Sequence, residues 1–404
     1  MLCWMAPLAT VQAQETSSAA KPATTWRNFQ LPILKDPFQM KYSRRGLELQ
    51  KDDGRYTARI RWRVQARYSN PFDDDPRRAS QFGVSAPDHL FVRRARFKVE
   101  GKLFGKLMNY KYEQDLVAGR MIDLYFDFNL QPWLKLRVGQ WKSVFSQERY
   151  ISSGSQQLVE RSIVNREFNV DRQSGAGISG RVKAGKRTDS SYFLEVLGGS
   201  GSNAVYKDGS PMIVGRYQWN LFGKEPEVSS SDIEGVEEPE AFLAIAGMHN
   251  RSRYTRFSGS GGGQLDGFAA GAPGQYSLKQ VNVEFLLKYR GLSVQTENHW
   301  KNVYDNIRHI DTSMRGSYFE PGYFPHHVWK AFPKEVELAY RYAFVDSRIG
   351  VPNDLRQEHT VGLNVFLEGH TNKFTIDASR LSLARAAQSN LNDFRYRVQW
   401  DVHF

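Results

Sequence analysis

Along residues 55–68, RYTARIRWRVQARY, the odd positions carry Arg55, Arg59, Arg61, Arg63 and Arg67 together with Thr57 and Gln65. A guanidinium is a fixed fork of N–H donors that stays cationic and fits carboxylate or phosphate oxygens. A row of them at two-residue spacing can replace the water around an anion at one step and release it to the next. The same types recur where Arg94, Arg96 and Lys98 alternate with Ala95, Phe97 and Val99. They recur again where Lys135 and Arg137 alternate with Leu134, Leu136 and Val138, ahead of Lys142. Carboxylates stand at Glu113, Asp123, Asp127 and Glu337. Two readings of the cations therefore stay open: some hold wall and loops together by carboxylate pairing, and others meet a solute.

Other chemistries are poorly provided for. The nine histidines, at 89, 249, 299, 309, 326, 327, 359, 370 and 403, show no local Ser/His/acid signature. A hydrolase is thus disfavoured. His326 and His327 would point opposite ways on a strand and lack a third ligand, so no metal or other cofactor is implied. Nucleic-acid binding is disfavoured too, because the aromatics of 55–68 lie on the face opposite the arginines and cannot stack bases between them.

These cations need elements that present them on one side. The even positions Tyr56, Ala58, Ile60, Trp62, Val64, Ala66 and Tyr68 are all apolar or aromatic, which makes 55–68 a strand with one greasy and one cationic face. At 14 residues it is far longer than the five or six usual in soluble sheets. A tilted membrane strand needs about 9–11 and can project beyond the bilayer. Residues 393–404, DFRYRVQWDVHF, repeat the pattern and end on the aromatic Phe404. About sixteen such segments can be drawn between 55 and 404, among them 89–103, 106–116, 121–130, 133–142, 291–300 and 316–328. Short connections fall near Phe104-Gly105, Gln131-Pro132 and Arg290-Gly291, with long loops opposite. Pro321 and Pro325 sit poorly within 316–328, and the acidic turn 223–238 is unusually long.

The fold class expected is therefore all-β: a transmembrane antiparallel β-barrel of about 16 strands with short periplasmic turns and long extracellular loops. Closure leaves no edge N–H or C=O unpaired in lipid. A helical membrane protein is excluded, because no apolar run approaches the roughly 18 residues a spanning helix needs. Arginine facing lipid at the midplane would cost about 2–4 kcal/mol each, so the cationic face must turn inward. The formal charge of +12, threaded singly between apolar residues, then becomes a basic lumen that favours anions.

Sixteen strands enclose a channel too wide to select unaided. The loop 143–170, with Arg149, Arg161 and Arg166, is far longer than a turn requires and is the candidate constriction; the alternative is an outer loop packed on itself. Residues 1–13 end in Val11 and Ala13, small residues of the kind a signal peptidase cleaves after, and contain Cys3, the only cysteine. Residues 14–54 are expected to be a periplasmic leader, with the barrel from 55 to 404.

The segments VRRARFKVEGKLFGKLMNYKYEQDL (92–116), MIDLYFDFNLQPWLKLRVGQWKSVFSQE (121–148) and VERSIVNREF (159–168) resemble the phosphate-selective porins O and P. GSYFEPGYF (316–324), ELAYRYAFVD (337–346) and the terminal Phe404 add weaker likeness. The resemblance implies a bacterial outer-membrane porin, a homotrimer passing phosphate or polyphosphate along an arginine stair past an infolded third loop and a lysine-rich constriction. It also implies assembly by the outer-membrane machinery through Phe404. Arg94, Arg96, Lys98, Arg137 and Lys142 fall in the matching motif; Arg59, Arg61 and Arg63 come from periodicity. Val144-Phe145 stands where the family has Pro-Phe. A barrel with a plugged lumen, acting as a surface-binding or structural protein, is the rival reading.

Overall fold

The computed structural model describes residues 27–29, 38–43, 46–51, 54–84, 88–185, 187–204, 210–352, 354–385 and 388–404. The signal-like segment 1–13 lies outside them, as does much of 14–54.

Sixteen antiparallel strands form the wall: β1 (Tyr56–Asn70), β2 (His89–Leu103), β3 (Met108–Asp115), β4 (Arg120–Gln131), β5 (Leu134–Lys142), β6 (Arg172–Val182), β7 (Ser190–Leu197) and β8 (Met212–Asn220). The second half comprises β9 (Glu240–Ser252), β10 (Tyr276–Tyr289), β11 (Leu292–Asp305), β12 (Ile310–Tyr323), β13 (Val336–Asp346), β14 (Leu355–Phe366), β15 (Asn372–Leu383) and β16 (Leu391–His403). Each pairs with its neighbours in sequence, and β16 returns to β1 in register from Tyr396 opposite Asn70 to His403 opposite Arg63. Trp62 and Phe404 exchange backbone hydrogen bonds of 2.7 and 3.0 Å at the seam. The barrel is thus closed, and every expected strand has a counterpart.

Alternation fixes which side faces in. Along β1, Arg63, Gln65, Arg67 and Ser69 are buried while Trp62 is exposed, and along β16 Phe394, Tyr396, Val398 and Trp400 are exposed while Arg395, Arg397 and Asp401 are buried. A soluble protein buries the reverse set. The exposed apolar band is the surface that meets hydrocarbon.

Two boundaries move for physical reasons. The segment expected at 316–328 is β12, Ile310–Tyr323, because Pro325 opens a short 3-10 turn at Pro325–His327. Pro321 is tolerated because the β12–β13 ladder skips from Phe319 opposite Tyr342 to Gly322 opposite Ala339, so the missing N–H breaks no bond there. Part of the expected leader is also sheet. Phe38–Ser43 and Gly46–Lys51 form a hairpin, and the second strand pairs with β1 from Leu47 opposite Ile60 to Lys51 opposite Tyr56. It covers the stretch of β1 that outruns the end of β16, where an edge would stay open.

Connections at the Phe404 end include the tight turns 104–107, 132–133 and 290–291, yet also the longer segments 221–239 and 324–335. At the opposite end most loops are long, but 116–119 and 306–309 have only four residues each. The sorting of short and long connections is looser than the sequence reading expects.

Candidate functional site

The third connection of the long-loop end, 143–171, turns into the barrel. It carries two short helices, α1 (Gln147–Tyr150) and α2 (Ile163–Phe168), the first capped by the Ser146 hydroxyl accepting from the Arg149 N–H at 3.2 Å. Phe145, Ile151, Leu158, Val159, Ile163, Val164 and Phe168 are all buried, and Phe145, Ile163, Val164 and Phe168 pack on inward apolar residues of the wall. Two apolar clusters of the lumen form around the loop.

Carboxylates of the far wall hold the loop by its backbone. Glu284 accepts from Gln147 N–H at 3.2 Å, Glu297 from Glu148 N–H at 2.5 Å, Asp377 from Val159 N–H at 3.1 Å and Glu358 from Ile163 N–H at 2.9 Å. Donors on β10, β11 and β13 take the loop's carbonyls: Asn282 bonds Phe145 O at 3.1 Å, Lys301 bonds Glu167 O at 2.8 Å and Arg341 bonds Glu160 O at 3.0 Å. Buried polar groups are tolerable only when satisfied, and this exchange satisfies both partners. The loop therefore lies against β9–β16.

The wall of β1–β6 touches the loop through Arg63, Arg67, Arg94 and Lys142 but leaves space beside these contacts. Between it and the loop run two cavities of about 380 and 350 Å³, the first opening toward the Phe404 end, and both are lined by Arg96, Lys142 and Arg172. The first is lined by eight Lys and Arg against two carboxylates, the second by ten against two. The two cavities adjoin at these three shared residues.

Most of the singled-out cations on this wall are partnered. Arg59 meets Glu48 of the hairpin at 2.7 Å, Arg61 meets Glu100, and Lys98 meets Glu100 at 2.6 Å. Arg94 contacts Glu160 of the loop at 2.8 Å, Arg96 contacts Glu113 at 3.0 Å, and Arg137 grips Asp127 with two bonds of 2.6 and 2.8 Å. Lys135 is exposed on the same face as Arg137 and makes no ion pair among the described residues. In the loop, Arg149 holds Asp171 at 2.6 Å and Arg166 lies 3.8 Å from Glu167. The structural role of the arginines is thus visible for much of the set.

Three cations differ. Arg63 bonds the hydroxyls of Ser152 at 3.1 Å and Ser153 at 2.5 Å, Lys142 bonds the carbonyls of Tyr150 at 3.0 Å and Ile151 at 3.3 Å, and Arg161 bonds those of Glu148 at 2.9 Å and Ile151 at 2.6 Å. None of the three has a carboxylate within ion-pair distance among the described residues. Their charge is oriented but not cancelled by an ion-pair partner, and all three line these cavities.

The sequence reading leaves out Lys111, Arg172, Arg120 and Arg256. Lys111 shares the β3 face with Glu113 and bridges it to Asp123 at 2.8 and 2.5 Å, so the alternation of NYKYE could have revealed it. Arg172 opens β6 and reaches Asp123 at 2.7 Å. Arg256 arrives on a small hairpin of another loop, and no local signal marks it.

Two loop carboxylates behave oppositely. Burial would raise the Glu160 carboxyl, but Arg94, Arg67 and Arg93 outweigh it and hold it well below the ordinary range. Glu148, buried with Glu297 nearby, is pushed up to about 8, chiefly by desolvation despite Arg341. A folded-state value above the unfolded one means that this group's contribution to stability is present below about pH 4.3 and lost as pH rises to about 8. Thermal unfolding in detergent from pH 5 to 9 should therefore show Glu148→Gln gaining steadily on the unmodified protein. A constant difference across that range would mean Glu148 titrates like an ordinary carboxylate.

A family model described as "Phosphate-selective porin O and P" matches residues 57–208 and 266–393, more than half of the chain. No curated protein matches the sequence. Among solved structures, in-vitro folded OmpT, an outer membrane protein of Vibrio cholerae, superposes with a TM-score of 0.56 at 6% identity, covering 88% of this chain and 99% of its own. An anion-selective porin from Comamonas acidovorans gives 0.52 at 11% identity, with 86% and 100% covered. The outer membrane channel DcaP of Acinetobacter baumannii gives 0.50 at 11%, with 88% and 99% covered. At such identities these neighbours speak for the fold, the closed porin barrel.

Proposed function

The chain belongs to the phosphate-selective porin O and P family and is a passive porin of the bacterial outer membrane, and from that premise we propose that it selects anions along the basic route beside its infolded loop. The observation that carries this reading is the asymmetry of the lumen: the loop is bonded along the wall of β10–β15, and the cavities left between it and β1–β6 are lined mostly by Lys and Arg. An anion moves from Arg94, Arg161 and Arg166 at the outer side to the neck at Arg96, Lys142 and Arg172, then to Arg61, Arg63 and Lys98. The paired arginines lend donors while their carboxylates keep each site weak enough to release. Phosphate or a related multivalent oxyanion is the cargo that such forked, closely spaced donors fit best.

In this proposal residues 1–13 are removed on export, 14–54 act in the periplasm, Phe404 is read by the assembly machinery, and three copies assemble. The deciding measurement is made in planar bilayers. Reversal potentials in a chloride gradient should show anion preference, and phosphate added in millimolar amounts should depress chloride conductance by occupying the neck. Cation preference would sink the proposal. Chloride currents indifferent to phosphate would remove the phosphate part and leave a general anion porin.

A further inference from the structure

The turn between β8 and β9 has no topological need for its length. Leu221 N–H already bonds Ala241 O at 2.9 Å, so the strands are adjacent and a connection of two to five residues would join them. The chain instead spends residues 221–239 there. Its base is fixed to neighbouring turns: Gly291 N–H donates to Asp232 at 2.7 Å, Arg290 N–H to Val236 O at 2.9 Å, and Arg290 pairs with Glu237 at 3.2 Å. Gly235, at φ +62°, lies so close under the His327 ring that a Cβ would stand 2.6 Å from it.

From this base the tip rises into the lumen. Ser229, Ser230 and Ser231 are at most 1% exposed. Lys288 donates to the Ser229 hydroxyl at 2.6 Å, and Ser231 donates to Glu337 at 2.9 Å. Glu337 also accepts from Gln157 of the infolded loop at 2.7 Å. Ser230 N–H donates to Ser155 O of that loop at 3.0 Å, so the two insertions meet inside the barrel. Val228 and Ser155 both line the cavity nearer Phe404. At the tip itself Val228 and the three serines are neutral, while Asp232, 3% exposed, anchors the base and Glu225 accepts from Ser191 and Gln218 of the wall at 3.2 and 3.4 Å. These two carboxylates are taken up by the wall and the adjoining turn, as suits a segment that fills space.

We infer that the turn 221–239 is a fixed second wall of the passage, which seals the half of the lumen behind the infolded loop from the periplasmic end and confines solute to the basic route. This rests on the proposed route for its effect on selectivity, though not for its effect on pore size. Without the tip, water and ions would reach Glu337 and Lys288 beneath the infolded loop, and a second path of mixed charge would open beside the first.

The test is excision of residues 224–237, with heat-modifiable gel migration used to confirm a folded barrel. Conductance should rise about twofold, as water replaces protein across much of that cross-section, and anion preference should fall. Conductance and reversal potential equal to those of the unmodified protein would overturn the inference. Should the excised chain fail to fold, the double variant Ser155→Cys and Ser230→Cys decides. It should cross-link spontaneously and conduct alike oxidised and reduced. No cross-link, or an oxidised form that stops conducting, would overturn a fixed wall. Cation preference in the unmodified protein would count against the proposed function, and the conductance of the excised form would still judge the turn.

Discussion

Replacing Lys142 with glutamate is expected to lower the anion-to-cation permeability ratio at least tenfold, and in dilute salt to invert it. The side chain sits at the neck shared by both cavities, beside Arg96 and Arg172, and bonds only the carbonyls of Tyr150 and Ile151. The substitution puts a carboxylate where, among the described residues, none lies within ion-pair distance of the side chain. Even in a partly hydrated passage, a unit charge about 4 Å away is worth about 1–4 kcal/mol, and each 1.4 kcal/mol is tenfold. Low salt sharpens the contrast because the Debye length grows. The measurement is the reversal potential across a tenfold salt gradient, with Lys142→Arg as the control that keeps the charge. If Lys142→Glu matched the unmodified protein while Arg63→Glu did not, the controlling site would lie nearer the periplasmic mouth.

The second large effect is expected from excising residues 147–168 of the infolded loop. Glu284, Glu297, Glu358 and Asp377, which now accept backbone N–H bonds from that segment, would face water across from the arginines. Conductance should increase several-fold as a sixteen-strand lumen opens, and selectivity should collapse because both walls would then act on every ion. The β strands and their closing seam lie outside the excised segment, so the barrel should still form. Single-channel recordings decide. Unchanged step size would mean that the loop does not define the conducting cross-section.

How much of this was legible beforehand depends on the range of the interaction. Alternation with period two is local: in 55–68 each residue's neighbours suffice to assign its face, and the cost of arginine in lipid then assigns inside and outside. Strand number could be read in this way; closure followed from the need to pair every edge in lipid, the family likeness from motif segments, and the interest of 143–170 from its length. The misplacement of 316–328 also has a local origin, since the proline test was applied to a boundary that Pro325 itself sets.

The charge state of the route could not be read so. Arg94 and Glu160 are 66 residues apart, Arg341 and the loop carbonyl it holds are 181 apart, and Ile163 and Glu358 are 195 apart. No periodic pattern encodes such pairings. The sequence by itself determined a barrel with cations on its inner face, because side-chain direction in a strand is a property of the backbone. The tertiary structure alone decided which of those cations keep an uncancelled charge and which side of the lumen remains open, because both follow from where the loop's amides find carboxylates across the barrel.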